Sequence, residues 1–207
     1  AFSAGGGGAG VTSLPVGEYQ LSVHVGSRCV YSFCMCPGGQ VVAAASEEGG
    51  VVTNGMSYHA RAGANANAAV VVSVDGADFH EDPRQAIAFQ RGLEQAAFAA
   101  GGGGYAAPAQ TMNGFLAEKA ALDLDRVRPT YDRGVTAADL NRLLPQQLAS
   151  ALRQGLAGFD RKLKGYTAPD AVLTGLETRT SSPVRLQRGG DYACPALPGL
   201  YPCGEGA

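Results

Sequence analysis

The chain lacks runs of Lys or Arg, and that absence removes the simplest nucleic-acid and polybasic membrane roles. Its 16 basic and 18 acidic residues leave a formal net charge of −2, with a pI of about 5.9. It has no apolar run of membrane-spanning length and no signal-peptide pattern at its start. H-E-x-x-H, the phosphate-binding loop and the serine nucleophile elbow are all missing. Histidine is scarce, with only His24, His59 and His80. The five cysteines are an odd number without a secretory signal, so reduced thiols in a cytoplasmic protein are expected. The 45% hydrophobic content over 207 residues is enough for a buried core and argues against wholesale disorder.

Glycine is abundant, with 30 residues, and part of the excess sits in tracts at 5–8 and 101–104 that read as surface insertions. Gly5, Gly7 and Gly10 spell G-x-G-x-x-G. A dinucleotide site needs a strand before that motif and a helix after it, and here Pro15 follows soon after, so a low-complexity loop is the reading.

The hydrophobic period divides the chain. Residues 18–74 alternate with period two: Tyr19, Leu21, Val23 and Val25 mark a half-buried strand, and 30–36 marks a second. Pro37-Gly38-Gly39 reads as a turn that returns the chain along 40–45, giving an antiparallel meander. Residues 54–61 and 65–67 read as a polar loop. From residue 81 the period becomes helical. Asp82-Pro83 opens a helix with Ala86, Phe89, Leu93 and Ala97 on one face, stopped at Gly101. Thr136 and Asp139 resemble a capping box, and Pro145 starts a helix striped by Leu148, Leu152, Leu156, Phe159 and Leu163. Strands are expected again at 171–178, 183–187 and 200–203.

The expected fold is α+β. A sheet over 1–80 and a helical subdomain over 81–168 are followed at 169–207 by strands that return to a further, incomplete α/β domain. A strand entering the glycine turn at Gly204 and Gly206 normally feeds a helix. We therefore expect a piece of a longer protein, cut at both ends.

Three sets of residues carry candidate chemistry. Cys34 and Cys36 lie two apart on a strand, so their thiols share a face, as half-buried packing groups or as a metal or redox pair. His59, beside Tyr58 and Arg61, is the best-placed general acid–base, in the same polar segment as Asn54. The densest polar set is Glu177, Arg179, Ser181, Ser182 and Arg185. Its forked guanidinium donors and hydroxyls suit a carboxylate or phosphate, and an edge strand with ordinary charge pairing is the plain alternative.

Four segments occur together in order: 33–39 (Phe-Cys-Met-Cys-Pro-Gly-Gly), 52–57 (Val-Thr-Asn-Gly-Met-Ser), 177–185 (Glu-Thr-Arg-Thr-Ser-Ser-Pro-Val-Arg) and 199–207 (Gly-Leu-Tyr-Pro-Cys-Gly-Glu-Gly-Ala). In this the chain resembles the bacterial family of FAD-dependent dehydrogenases related to the two-dinucleotide-fold flavoproteins. The resemblance covers nearly the whole chain apart from the glycine tracts. It implies the substrate or cap domain of a FAD-dependent oxidoreductase, with a small-molecule substrate and NAD(P)H or another electron donor as partners. Nucleic acid, membrane and metal have no part in it. It places Gly204, Glu205, Gly206 and Ala207 toward the flavin ribityl–pyrophosphate. Cys36, His59, Glu177 and Arg179 stand as catalytic candidates, and Asn54, Arg61, Ser181, Ser182 and Arg185 as substrate-side candidates. The isolated piece is expected to be inactive and to bind FAD poorly. Two other classes remain: a binding module for an anionic ligand or RNA, and a cysteine-based metal or redox protein.

Overall fold

The computed structural model describes residues 21–207. The formal glycine motif at 5–10, the first glycine tract and Tyr19 lie outside the described residues. The described residues form a mixed α/β structure with one antiparallel sheet, one mixed sheet and four α-helices.

The first sheet is built on one long strand. β1 (Leu21–Val25) pairs antiparallel with the start of β2 (Arg28–Ala43), and β3 (Thr53–Ser57) pairs with its end. β4 (Asn65–Val72) runs beside β2 from Val30↔Val72 to Gly39↔Asn65. The expected turn at Pro37-Gly38-Gly39 is not a turn. β2 continues through it, with register shifts between Phe33 and Cys36 and between Cys36 and Gly39. Bulges tolerate a proline and left-handed residues inside a strand. Cys34 (φ 50°) and Gly38 (φ 53°) supply the latter. Gly38 is also required by a close approach: a Cβ there would lie 1.9 Å from the Arg61 carbonyl oxygen. The 54–67 segment is correspondingly less of a loop than its polarity suggests. Asn54 lies in β3, and Asn65 and Asn67 lie in β4.

The helices follow the sequence pattern closely. α1 (Pro83–Ala100) begins at Asp82, whose side chain accepts from the Arg84 N–H, and its C-cap is Gly101. β5 (Ala107–Thr111) is buried throughout. It pairs parallel with β6 (Val135–Ala137) and antiparallel with β7 (Val172–Thr174), forming the second sheet. α2 (Met112–Leu116) follows β5 directly. The expected capping box resolves differently: Thr136 belongs to β6, and Asp139 alone caps α3 (Leu140–Leu143). A buried Gln110 stitches this region together. Its amide donates to the Lys119 carbonyl at 3.1 Å, and its oxygen accepts from the Leu140 N–H at 2.6 Å.

α4 (Gln146–Lys162) starts after Pro145 and lies across the first sheet. Its stripe Leu152, Leu156 and Phe159 meets Leu21 and Val30 in one cluster with Met112, Phe115 and Leu140. The core therefore joins strands of the first 80 residues to helices of the 81–168 span. Gly155 sets how closely α4 approaches: a Cβ there would fall 2.4 Å from Val30 Cγ1, inside any real contact. Leu163, at the end of the predicted stripe, is exposed because the helix stops at Lys162. A second cluster of Val51, Ala97, Ala107, Tyr131 and Leu176 packs the end of α1 against the second sheet.

After β7 no further strand forms among the described residues. The segments 175–178, 183–187 and 200–203 are irregular. The alternating Thr/Ser/Arg pattern has no strand to pair with among the described residues; its polar groups bond to α1, to Ser46 and to one another instead.

Candidate functional site

A cleft of about 530 Å³ opens between β4, α1, α4 and the segment 176–183. Its apolar walls come from elements whose sequence reads as core. Ala86, Phe89 and Leu93 of α1 face it, as do Leu148 and Leu152 of α4 and Val70 to Val72 of β4. The 3₁₀ turn Gly76–Phe79 packs on α1 at this end, its Phe79 ring meeting Phe89 at 5.3 Å between centroids. Arg28 fixes that turn to the sheet edge. It donates to Asp78 at 2.5 and 3.0 Å and to the Ser73 carbonyl at 2.8 Å. The same contact holds the Asp78 carboxyl below the usual carboxylate range.

The fourth wall is the 176–183 segment, and its anchoring is specific. Glu94, on α1, is only 1% exposed. Its carboxylate accepts from Arg179 Nε at 2.8 Å, from Arg179 Nη2 at 2.7 Å and from Thr178 Oγ1 at 2.8 Å. The Gln90 amide donates to the Thr178 carbonyl at 2.8 Å, the Thr53 N–H donates to the Leu176 carbonyl at 3.0 Å, and Arg179 also reaches the Ser46 hydroxyl. A plain extended chain would send residues 178 and 179 to opposite faces. Here both reach one carboxylate. Arg179, expected as a catalytic candidate, is thereby committed to a forked pair with a buried acid, the geometry in which a guanidinium is most selective.

Turning Thr178 and Arg179 onto α1 leaves Glu177 at the cleft. Among the described residues Glu177 has no hydrogen-bond or ion-pair partner, and burial pushes its carboxyl above the usual range. Ser181 and Ser182 line the same cleft, with Thr180 between them and Glu177. The structure thus brings Glu177, Ser181 and Ser182 together, as the polar density of 177–185 suggests.

The remaining candidates lie elsewhere. Cys36, Asn54, His59 and Arg61 do not contribute to the cleft wall. Cys36 Sγ donates to the Cys34 carbonyl at 3.2 Å within the β2 bulge, and His59 and Arg61 are exposed on the loop after β3. The Cys34 thiol is pushed up by burial first, then by the nearby Cys36 and Glu177. Arg185 is exposed in the irregular C-terminal segment. Among the described residues no three His, Cys, Asp or Glu side chains gather as a metal site. No described helix is long and apolar enough to cross a membrane.

The cleft itself was beyond sequence reasoning. Its apolar lining carries the same periodicity as core, and only the three-dimensional arrangement of α1, α4 and β4 separates the two. The missed partner is Glu94, an acid at a position on the apolar side of α1, where burial without pairing is costly. That position was the available signal.

Residues 6–180 match the family described as FAD-dependent protein, C-terminal domain-like. The chain belongs to this family. It is also 51% identical over 197 residues to an uncharacterized protein of Clostridium beijerinckii. That match covers 94% of this chain and 37% of the relative, so the chain spans well under half of the relative's length. The family makes this the C-terminal-domain-like part of a FAD-dependent protein.

The fit of the described residues to FAD is tested at the 204–207 turn. Gly204 and Gly206 have φ of 88° and 90°. A Cβ on Gly206 would lie 2.7 Å from Ser182 Cβ and Oγ, so the room that glycine leaves is filled by the chain's own segment. The Leu186 N–H donates to the Gly206 carbonyl and the Ala207 N–H to Gly204. Gly204, Glu205, Gly206 and Ala207 therefore form a turn packed on 182–186, not an open cradle for a pyrophosphate. This turn by itself does not fit FAD.

Proposed function

We propose that the chain is the substrate, or cap, domain of a FAD-dependent oxidoreductase of the dehydrogenase type, with its substrate site in the Glu177 cleft. The flavin is held chiefly by other parts of the intact protein, and NAD(P)H or another small donor or acceptor completes the cycle. The observation that carries this reading is the cleft itself: a largely apolar cavity with a few convergent polar groups, one of them a carboxyl with a raised pKa, in a chain of a FAD-dependent family. In such a protein the cofactor supplies the hydride or electron chemistry, while the domain positions substrate and excludes water. The anchoring of 176–183 on Glu94 suits that role, because a substrate wall must be rigid to orient its ligand.

The test uses the intact protein. Purified material should carry flavin that is released and identified as FAD. Ala86→Trp, which fills the cleft from α1, should retain the flavin yet lose substrate-dependent flavin reduction. Flavin-free intact protein, or full reduction by substrate in Ala86→Trp, would remove the reading.

A further inference from the structure

The walls of the cleft are strongly biased in charge. Four carboxylates contribute to it, Asp75, Glu81, Asp82 and Glu177, and no Lys, Arg or His does. Two of the four are occupied locally. Asp82 caps α1 and pairs with Arg84, whose side chain points to solvent, and Asp75 accepts from the Ala77 N–H. The neighbouring Arg28 is spent on Asp78. Glu177 alone is half-buried at the cleft without a hydrogen bond or cation. An anion entering such a site would meet only like charge, whereas a cation would supply the partner that Glu177 lacks. Three aromatic rings, Tyr31, Phe79 and Phe89, also form part of the wall, and ring faces attract ammonium groups. The apolar remainder, Val70, Leu93, Leu148 and Leu152, suits a hydrocarbon or aromatic body.

We infer that the cleft selects amines: a single ammonium group paired with Glu177, carried on an apolar body that lies against α1, α4 and β4. This deepens the cap-domain reading and rests on it for the ligand's role as substrate, though not for its binding. It reverses the expectation of an anionic ligand, because Arg179 is turned away onto Glu94 and Arg185 stands outside the cleft. The assignment differs from an acidic surface patch in having a largely apolar cleft with aromatic rings in its wall beside an unpaired, half-buried acid.

The experiment is calorimetric titration of the intact, flavin-containing protein with isosteric probes in two series: phenethylamine, phenethyl alcohol and 3-phenylpropanoate, and octylamine, octanol and octanoate. In at least one series the amine should bind about tenfold or more tighter than the alcohol, the margin expected of a charge-assisted contact, and the carboxylate should bind weakest. Glu177→Gln should erase the amine's advantage while alcohol binding persists, which also shows that the variant is folded. Ala86→Trp should weaken every probe. Equal binding of amine and alcohol, tighter binding of the carboxylate, no binding in either series, or an amine preference that survives Glu177→Gln each overturns the assignment. Flavin absorbance, read in the same titrations, separates the two claims. Amine binding that leaves the flavin spectrum unchanged keeps the ligand class and removes the substrate role. A spectrum that responds to alcohol or carboxylate but not to amine does the reverse.

Discussion

Arg179→Ala should destabilise the chain, and the size of the effect follows from the burial of its partner. Glu94 is 1% exposed and takes three of its hydrogen bonds from Arg179 and Thr178. Truncating the arginine leaves a desolvated carboxylate with one hydroxyl. Breaking a buried ion pair from one side costs about 3–5 kcal/mol. The Arg179 side chain is 34% exposed, so water reaches part of the gap and screening brings the cost down to about 2–3 kcal/mol. In a chain of 207 residues that corresponds to a melting-temperature drop of roughly 4–12 °C. Urea unfolding should show a lower midpoint with an unchanged slope. Adding Glu94→Gln should recover part of the loss, because the orphaned charge disappears with it. Unchanged stability in Arg179→Ala, together with weakened ligand binding, would refute this reasoning and return Arg179 to the substrate.

Three further outcomes are expected. Glu177→Gln should raise stability near neutral pH and lose that advantage in acid. The native carboxyl has a raised pKa from burial, so its favourable contribution is present below the unfolded value and fades as pH rises through the folded one; urea midpoints of both proteins across pH 3–8 (roughly the range bracketing an ordinary carboxyl) check this, and parallel profiles would contradict it. Gly155→Ala should cost about 1–3 kcal/mol through overpacking, since its new methyl would meet Val30 at 2.4 Å; adding Val30→Ala should ease the clash, so that thermal melts show a non-additive pair. Gln110→Leu should cost about 1–3 kcal/mol by leaving the Leu140 N–H and the Lys119 carbonyl unpaired in the interior, with faster amide exchange at Leu140 as its local signature.

Much of the fold is legible in the residues because the devices involved are local. Asp82-Pro83, Gly101 and Pro145 place helix boundaries through backbone chemistry alone, and the stripe from Leu148 to Phe159 marks the buried face of α4. The errors share one cause: tertiary contacts override local preference. Pro37-Gly38-Gly39 is turn chemistry by composition, yet β3 and β4 pair with β2 across it and convert it into bulges. The alternation over 177–185 is strand chemistry, yet with no strand alongside, Thr178 and Arg179 both turn to Glu94. At the site, the polar density around Glu177, Ser181 and Ser182 could be read directly. The placement of the arginines could not: two in sequence suggest an anion site, whereas in the structure one is paired with Glu94 and the other lies outside the cleft.

Those contacts also give the 177–179 segment two environments. The residues that face α1 hold the wall in place, and the residue between them and Leu176 is left to face the cleft unpaired. Under the proposed amine site, stability and recognition would be divided along the chain at single-residue spacing. Substitutions at 178–179 should therefore act first on stability, and those at 177 first on binding.

The most direct test of this account is a structure of the intact protein with its flavin and a bound phenethylamine. The account predicts the isoalloxazine ring opening onto the cleft, the amine inside it, and the ammonium against Glu177. A flavin that opens instead beside Cys36, His59 and Arg61, or a cleft filled by another part of the polypeptide, would contradict it.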